Sequence, residues 1–297
     1  MDNILKSVIL TPFNILYRMN PELELKLLFR LKCGYKLDLN NPKTYNEKIQ
    51  WIKLYDHNPL MQKCCDKYAV REYVESKGCG EILNTLLWEG FDPEDIPYDS
   101  LPDKFVIKVT HGSTFNIICT DKSKLDRADV NKKCNKWLKA KFLEAYGEWF
   151  YGIEKPRIII EKFLEDGTEK LRDYKVYCFN GVPRFIGVDS GDDSKGTHYK
   201  DIYDTDWNLM PGYEMAYPNS GKEIEKPEIL DELLRCAKKL SEDFLHARTD
   251  FYIVDGKVIF GEITFSNSAG FGKVVPKEFA LKMGDYLKLP VTSSSGK

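Results

Sequence analysis

The stretch that most constrains this chain lies near its end, Ala247–Gly270, "ARTDFYIVDGKVIFGEITFSNSAG". Two apolar strand-like runs flank an Asp255–Gly256 turn signal. Each run carries a carboxylate near its far end, Asp250 on the first and Glu262 on the second. A carboxylate lodged in a core costs several kcal/mol unless it is paired or bound to a cation. Any fold that buries this hairpin must therefore supply compensating positive charge.

Side chains alternate along a strand, so Glu262 and Thr264 project together. A two-residue Asp255–Gly256 loop with regular pairing would put Asp250 and Glu262 on opposite faces. A three-residue loop, Val254–Asp255–Gly256, with Gly256 left-handed in a bulge, would instead bring them to one face. Arg248 then faces Glu262 directly, and Asp250 sits diagonally on the same face, roughly 7–8 Å away. Hard oxygen ligands at that spacing select Mg²⁺ or Mn²⁺. The competing reading is a structural ion cluster in which Arg248 pairs with both acids.

Three further segments bear on that choice. In "KFVIKVTHGS", Lys108 lies inside an apolar strand, followed by His111, Gly112 and Ser113. An ammonium beside a small-residue loop suits oxyanions, because backbone N–H groups can close over phosphate oxygens. In "PRIIIEKFLED", three isoleucines run into Glu161, Lys162, Phe163 and Leu164. A strand leaving the core this way offers backbone donors and acceptors beside apolar side chains, which suits a flat purine. In "RDYKVYCF", Asp173 and Lys175 share a strand face. The bland alternatives are a snorkelling edge lysine, a common strand end and a surface charge pair.

The rest of the chain frames these segments. "NPKTYNEKIQWIKLYD" predicts a helix N-capped by Thr44 with Glu47 three residues on. "PLMQKCCDKYAVREYVESKGCG" continues the helical pattern to Gly78. The Pro- and Asp-rich "EGFDPEDIPYDSLPDK" reads as a connector, and short strands begin at Phe105. "DRADVNKKCNKWLKAKF" and "KPEILDELLRCAKKLSEDFL" predict amphipathic helices, and Asn180–Gly181 marks a hairpin tip. Residues 189–222 read as a long loop whose Tyr199, Tyr203, Trp207 and Tyr213 pack onto a sheet or stack on sugars. The fold class is α+β with largely antiparallel sheet in the second half. The expected divisions are a helical region at 1–100, a first α+β unit at 101–162, a second at 163–290 and a tail at 291–297.

With 44 basic against 46 acidic residues, nothing in net charge points to nucleic acid. No apolar run is long enough for a spanning helix. The apolar first 29 residues are interrupted by Lys6, Pro12, Asn14 and Arg18 and lack the pattern of a signal peptide. They read as a core or partner-docking helix. The 8 cysteines form no C-x-x-C pair, which fits a reducing, cytoplasmic setting.

Taken in order, the strand lysine with its small-residue loop, the strand ending Glu-Lys-Phe-Leu, the D-x-K strand and the D-F-x₁₀-G-E-x-T hairpin resemble the ATP-grasp fold. The segments "KTYNEKIQWIKLYD", "DKYAVREYV", "HGSTFNII", "DYKVYCFNG" and "DFYIVDGKVIFGEITF" look like the ATP-grasp family named for teichuronopeptide biosynthesis, over roughly residues 40–290. That family is associated with capsule and other bacterial surface polysaccharides. The resemblance implies ATP clamped between two subdomains, with Lys108 and the His111–Ser113 loop on its phosphates. It implies Glu161, Lys162, Phe163 and Leu164 at adenine, and Glu165 or Glu169 at ribose. It places Lys175 beside the terminal phosphates and Arg248 among the charges that stabilise transfer. Asp250 and Glu262 would hold Mg²⁺, with Thr264 and Asn267 completing the set. The activity implied is a carboxylate–amine ligase joining a sugar or uronic acid to an amino acid, with peripheral association with envelope-synthesis machinery. The alternatives are a sugar kinase, a glycosyltransferase or a catalytically inactive nucleotide binder, the last suggested by Thr114, Phe115 and Thr264 where relatives differ.

Overall fold

The structure, a computed structural model, describes residues 3–166, 171–192 and 197–290. Two helices open it, α1 (Asn3–Met19) and α2 (Pro21–Cys33), the second capped by the Asn20 side chain, which accepts from the Leu23 N–H at 3.0 Å. The Thr44–Glu47 signal is realised as a capping box. The Glu47 N–H donates to the Thr44 hydroxyl, and the Thr44 N–H donates back to the Glu47 carboxylate at 2.9 Å. Helix α3 (Tyr45–Tyr55) starts there. The helical pattern that follows divides into two short helices, α4 (Leu60–Cys64) and α5 (Val70–Ser76).

The first sheet has strands β1 (Leu86–Gly90), β2 (Phe105–Val109), β3 (Asn116–Cys119) and β4 (Ile158–Lys162), all antiparallel, in the order β1-β4-β2-β3. Helix α6 (Arg127–Leu138) packs on it, so that Val130 and Cys134 meet Phe105, Ile107, Ile158 and Ile160 in one core cluster. The expected boundary at residue 100 is therefore misplaced. Strand β1 pairs with β4 and belongs to this sheet, not to the helical region. Its "LLWEG" run is too short and too uniformly half-buried to show alternation.

The second sheet holds β5 (Asp173–Phe179), β6 (Val182–Asp192), β7 (Thr197–Asp204), β9 (His246–Val254) and β10 (Lys257–Thr264), in the order β10-β9-β5-β6-β7. The β5–β6 turn is Asn180–Gly181, both left-handed, as the dipeptide requires. Helix α7 (Leu230–Ser241) buries Leu233, Ala237 and Leu240 against one face, with Val176, Cys178 and Phe251 beneath. Helices α3 and α8 (Lys277–Tyr286) cover one end of the other face, over Tyr177, Phe185 and Ile202. The remaining part of that face carries charge and is the floor of the site described below.

Two short strands, β8 (Glu214–Met215) and β11 (Val274–Val275), pair beside α8. The segment read as a loop at 189–222 contains the end of β6 and all of β7, which were hidden because Lys200 and Asp201 are buried inside β7 and break the apolar alternation that would have shown it. Tyr203 and Trp207 stack on each other at 4.4 Å, and Tyr213 stacks on Phe279 at 4.5 Å. These three rings pack the sheet; Tyr199 is half-buried. The expected tail at 291–297 lies outside the described residues. Among the described residues no helix is long and apolar enough to cross a membrane.

Helix α8 sits so close to the start of α3 that a Cβ at Gly284 would stand 1.8 Å from the Lys43 carbonyl oxygen. Gly284→Ala is expected to destabilise the protein by about 2–3 kcal/mol through backbone displacement, read as a fall in the urea midpoint.

Candidate functional site

The closing hairpin brings its acids to one face, by a different route from the one expected. Asp255 and Gly256 form a two-residue left-handed turn (φ 51° and 68°), and Lys257 pairs with Val254. Of the two turns the sequence allows, the three-residue loop is not formed. Pairing runs regularly to Phe260 opposite Phe251, and a bulge at Gly261 then slips the register by one residue, so that Glu262 pairs directly with Asp250. Arg248 consequently faces Thr264 instead of Glu262. An unpaired residue in one strand of a ladder reverses the facing of everything beyond it. Gly261 fits there because even a bare Cβ would lie 3.0 Å from the Asp250 carbonyl oxygen.

Around Asp250 the face is a dense ion network. Arg248 grips Asp250 with two parallel bonds, Nε and Nη2 to the two carboxylate oxygens, each at 2.7 Å. Its remaining donors reach Asn267 Oδ1 at 2.6 Å, Thr264 Oγ1 at 3.0 Å and Glu262 Oε1 at 3.4 Å. From β5, Lys175 donates to Asp173 and to Asp250 at 3.2 Å, and lies 3.4 Å from Asp189. Burial alone would drive Asp250 neutral, but Arg248 and Lys175 hold its carboxyl below the usual range. Burial likewise opposes the charge on Lys175, and the surrounding carboxylates overcome it and hold its ammonium above the ordinary value. Asp173 behaves in the opposite way: burial and the charge on Asp250 push its carboxyl up to about 6 against the pull of Lys175.

A cleft of about 200 Å³ separates this floor from the first sheet. Lys108, Ser113, Thr114, Phe115 and Asn116 line it from β2, β3 and their connection, and Asp173, Asp250, Tyr252, Gly261 and Glu262 line it from the second sheet. Lys108 is held by Glu161 at 2.6 Å, and Glu161 is also 3.4 Å from Arg71. The Glu161 side chain thus orients a lysine. Lys162 is exposed, its N–H donating to the Thr85 carbonyl and its own carbonyl accepting from Asn84, both at 2.9 Å. Phe163 and Leu164 follow, half-buried, and neither lines the cleft. Glu165 pairs with Lys104 at 2.8 Å, and Glu169 lies outside the described residues.

Gly112 lies under the ring of Phe115, where an added Cβ would come within 2.0 Å of it. Phe115 in turn stacks on Trp137 at 5.4 Å, so the bulk at this position is folded back onto α6. Gly112→Ala is expected to displace Phe115 and the Ser113–Asn116 backbone and to destabilise the protein by about 1–3 kcal/mol, read as a fall in the urea midpoint. His111 is not among the cleft-lining residues. Its Nε2–H donates to the Ala140 carbonyl at 3.1 Å, and it lines a second cavity.

The donor set fits a hard divalent cation that arrives with phosphates, since Mg²⁺ takes one or two carboxylates and fills its octahedron with phosphate oxygens and water. Glu262 is the accessible member, its side chain 40 % exposed. Asp173 offers a buried Oδ1 that has no hydrogen-bond partner among the described residues. Asp250 stands between them in the cleft wall. Thr264 and Asn267 present oxygens that Arg248 already occupies.

A family model described as TupA-like ATPgrasp matches residues 47–288. The chain belongs to this ATP-grasp family. No curated protein matches it in sequence. Among solved structures it is similar to the D-alanine–D-alanine ligase from Bacillus anthracis complexed with ATP, at 18 % identity over 68 % of this chain and 55 % of that one (TM-score 0.38). It is also similar to N5-carboxyaminoimidazole synthetase from Staphylococcus aureus complexed with ADP, at 12 % identity over 84 % and 60 % (TM-score 0.46). A third match is an L-amino acid ligase from Bacillus licheniformis, at 13 % identity over 86 % and 57 % (TM-score 0.46). The chain thus spans a little over half the length of these three proteins.

In this TupA-like ATP-grasp protein, sequence reasoning passed over Lys67. It follows Asp66 in "DKYAVREYV", and its ammonium donates to the Gly112 carbonyl at 2.9 Å, 3.7 Å from Glu262 Oε2. It is therefore a second lysine in the cleft. The only available signal was its place in a segment shared with the family, because nothing local marks a lysine between two short helices as pointing into a site. Asp189 and Lys200, which extend the ion network across β6 and β7, were hidden in the misread loop.

Proposed function

We propose that this protein is an ATP- and Mg²⁺-dependent ligase that activates a carboxylate as an acyl phosphate and passes it to an amine. The observation that carries the reading is the pairing across one cleft of two lysines and a small-residue turn with three carboxylates from the facing sheet. Lys108 and Lys67 neutralise phosphate oxygens, and the Gly112–Thr114 backbone closes over them. Asp250 and Glu262, with Asp173 beside them and Thr264 and Asn267 behind, hold the cation, which when bound neutralises charge on the transferring phosphoryl group. Arg248 is buried and acts through Asp250 and Glu262; it is a positioning residue, as is Glu161 for Lys108.

The carboxylate oxygen of the first substrate attacks the γ-phosphorus in line, forming an acyl phosphate and releasing ADP. The amine then forms the C–N bond as the C–O bond to phosphate breaks. The chain's own contribution to the first step is position and charge, worth most in a water-poor cleft. In keeping with the family name, the substrates are a sugar or uronic acid and an amino acid used in bacterial surface-polysaccharide synthesis, with the reaction in the ATP-containing cytoplasm.

Hydroxylamine tests the chemistry. Incubated with MgATP and glucuronate, the protein is expected to yield a hydroxamate together with ADP. A phosphorylated sugar with no hydroxamate would instead identify a kinase.

A further inference from the structure

The β2–β3 connection borders two spaces. Ser113–Asn116 line the cleft, and His111 lines a second cavity of about 580 Å³, within the range of small-ligand sites. Its walls include Tyr17, Phe142, Trp149 and Tyr151, with Phe142 and Tyr151 stacked at 4.8 Å. Glu148 also lines it. Burial raises the pKa of this carboxyl, and the charge on Lys53 and the Ser266 hydrogen bond oppose the rise; the residue is half-buried where it lines the cavity. Ser266 donates to one of its oxygens at 2.5 Å, and among the described residues no basic side chain pairs with it within 4.0 Å. Buried Lys53 acts on Glu148 electrostatically, but it donates to the Tyr146 and Ala269 carbonyls at 2.6 and 2.8 Å. At the mouth, Arg18 and Glu144 neutralise each other, and Lys141 is exposed to screening solvent.

The cavity wall carries a further polar side chain. His111 is buried, and because its Nε2–H is given to Ala140, its Nδ1 holds a lone pair that has no partner among the described residues. Burial lowers its pKa and keeps the ring neutral. Ser266, which donates to Glu148, lies between Thr264 and Asn267, both of which accept from Arg248, so the cavity adjoins the cleft floor. The two spaces differ in sign. Lysines face the cleft and suit phosphates and a carboxylate, whereas an aromatic-walled cavity around a carboxylate with no ion pair within 4.0 Å among the described residues suits an ammonium.

We propose that this cavity is the binding site of the amine substrate, a primary ammonium on a sugar or amino-acid body, anchored by Glu148. The role given to the amine rests on the ligase reading; the ligand preference of the cavity is measured without it. Glucosamine and glucose differ at one position, amine against hydroxyl, and serve as paired probes by saturation-transfer NMR on the full chain. Glucosamine is expected to bind about tenfold more tightly than glucose, as for one charge-assisted hydrogen bond. Glu148→Gln is expected to remove that preference. Ala140→Trp, which fills the cavity and leaves Glu148 in place, is expected to abolish binding of both sugars. Both variants should retain the MgATP thermal shift of the unaltered protein. Equal binding of the two sugars, binding of neither, or glucosamine binding untouched by both variants overturns the proposal. An absent MgATP shift in the unaltered protein sinks the ligase reading instead, whatever the sugars do.

Discussion

Glu262→Gln is expected to lower ATP-dependent ADP release by about a hundredfold or more while leaving the protein folded. The reasoning separates charge from shape. Glu262 sits at the open edge of the ion network, its side chain 40 % exposed, with Arg248 at 3.4 Å and Lys67 at 3.7 Å. An exposed pair of that kind contributes under about 1 kcal/mol to stability, so the urea midpoint should scarcely move. The same oxygens are the most accessible ligands on the cleft wall, and the amide keeps their size while removing the charge that draws in a divalent cation. Activity is read by coupled ADP detection across a Mg²⁺ titration, where higher Mg²⁺ should rescue part of the loss. Unchanged turnover, or a loss that tracks unfolding, would contradict the role given to this residue.

Arg248→Met should act in the opposite way, as a stability lesion of about 3–5 kcal/mol, because it strips the bidentate partner from a carboxylate that is almost wholly enclosed. Lys175 remains beside Asp250 but already serves Asp173 and Asp189 as well. The paired change Arg248→Met with Asp250→Asn is expected to recover part of the loss, since it removes the stranded charge; equal losses in the single and double variants would contradict the coupling. The acid dependence has a definite sign. Asp250 titrates below its unfolded value, so its contribution is complete above about pH 4 and disappears as pH falls through the depressed folded pKa. Without added divalent cation, urea melts should therefore show the Arg248→Met penalty shrinking below pH 4.

The parts of this architecture that were legible in the sequence are those in which a local rule and the tertiary fold agree. Thr44 and Glu47 satisfy each other within one turn, so the capping box needs no outside help. Asn180–Gly181 fixes its hairpin through backbone conformations that few residues tolerate. Asp250 and Glu262 were conspicuous because a charge inside a greasy strand demands a partner. The misreadings came where tertiary placement decides. Buried Lys200 and Asp201 disguised β7 as loop, and β1 was too short to betray a period. Lys67 joins the site only because the stretch between α4 and α5 leans on the Gly112 turn. The register of the closing hairpin failed for a related reason: the offset needed to bring the acids together can be placed at the turn or along the strand, and glycine was available at both.

That offset at Gly261 has a mechanical consequence. It splits the hairpin into two segments that keep separate phase. Toward the tip, the ladder can gain or lose a whole dipeptide from each strand, or accept a different turn, and the acids will not rotate. Toward the cleft, a regular ladder in which Gly261 itself paired with Asp250 would turn Glu262 and Thr264 over and drive Ile263 to the cleft side, whereas deleting Gly261 would leave Glu262 opposite Asp250. Whole-dipeptide changes should therefore be tolerated at the outer end, and at the inner end loss of Gly261 itself should leave the acids facing each other, a pattern that insertion and deletion scanning along residues 252–262 can reveal.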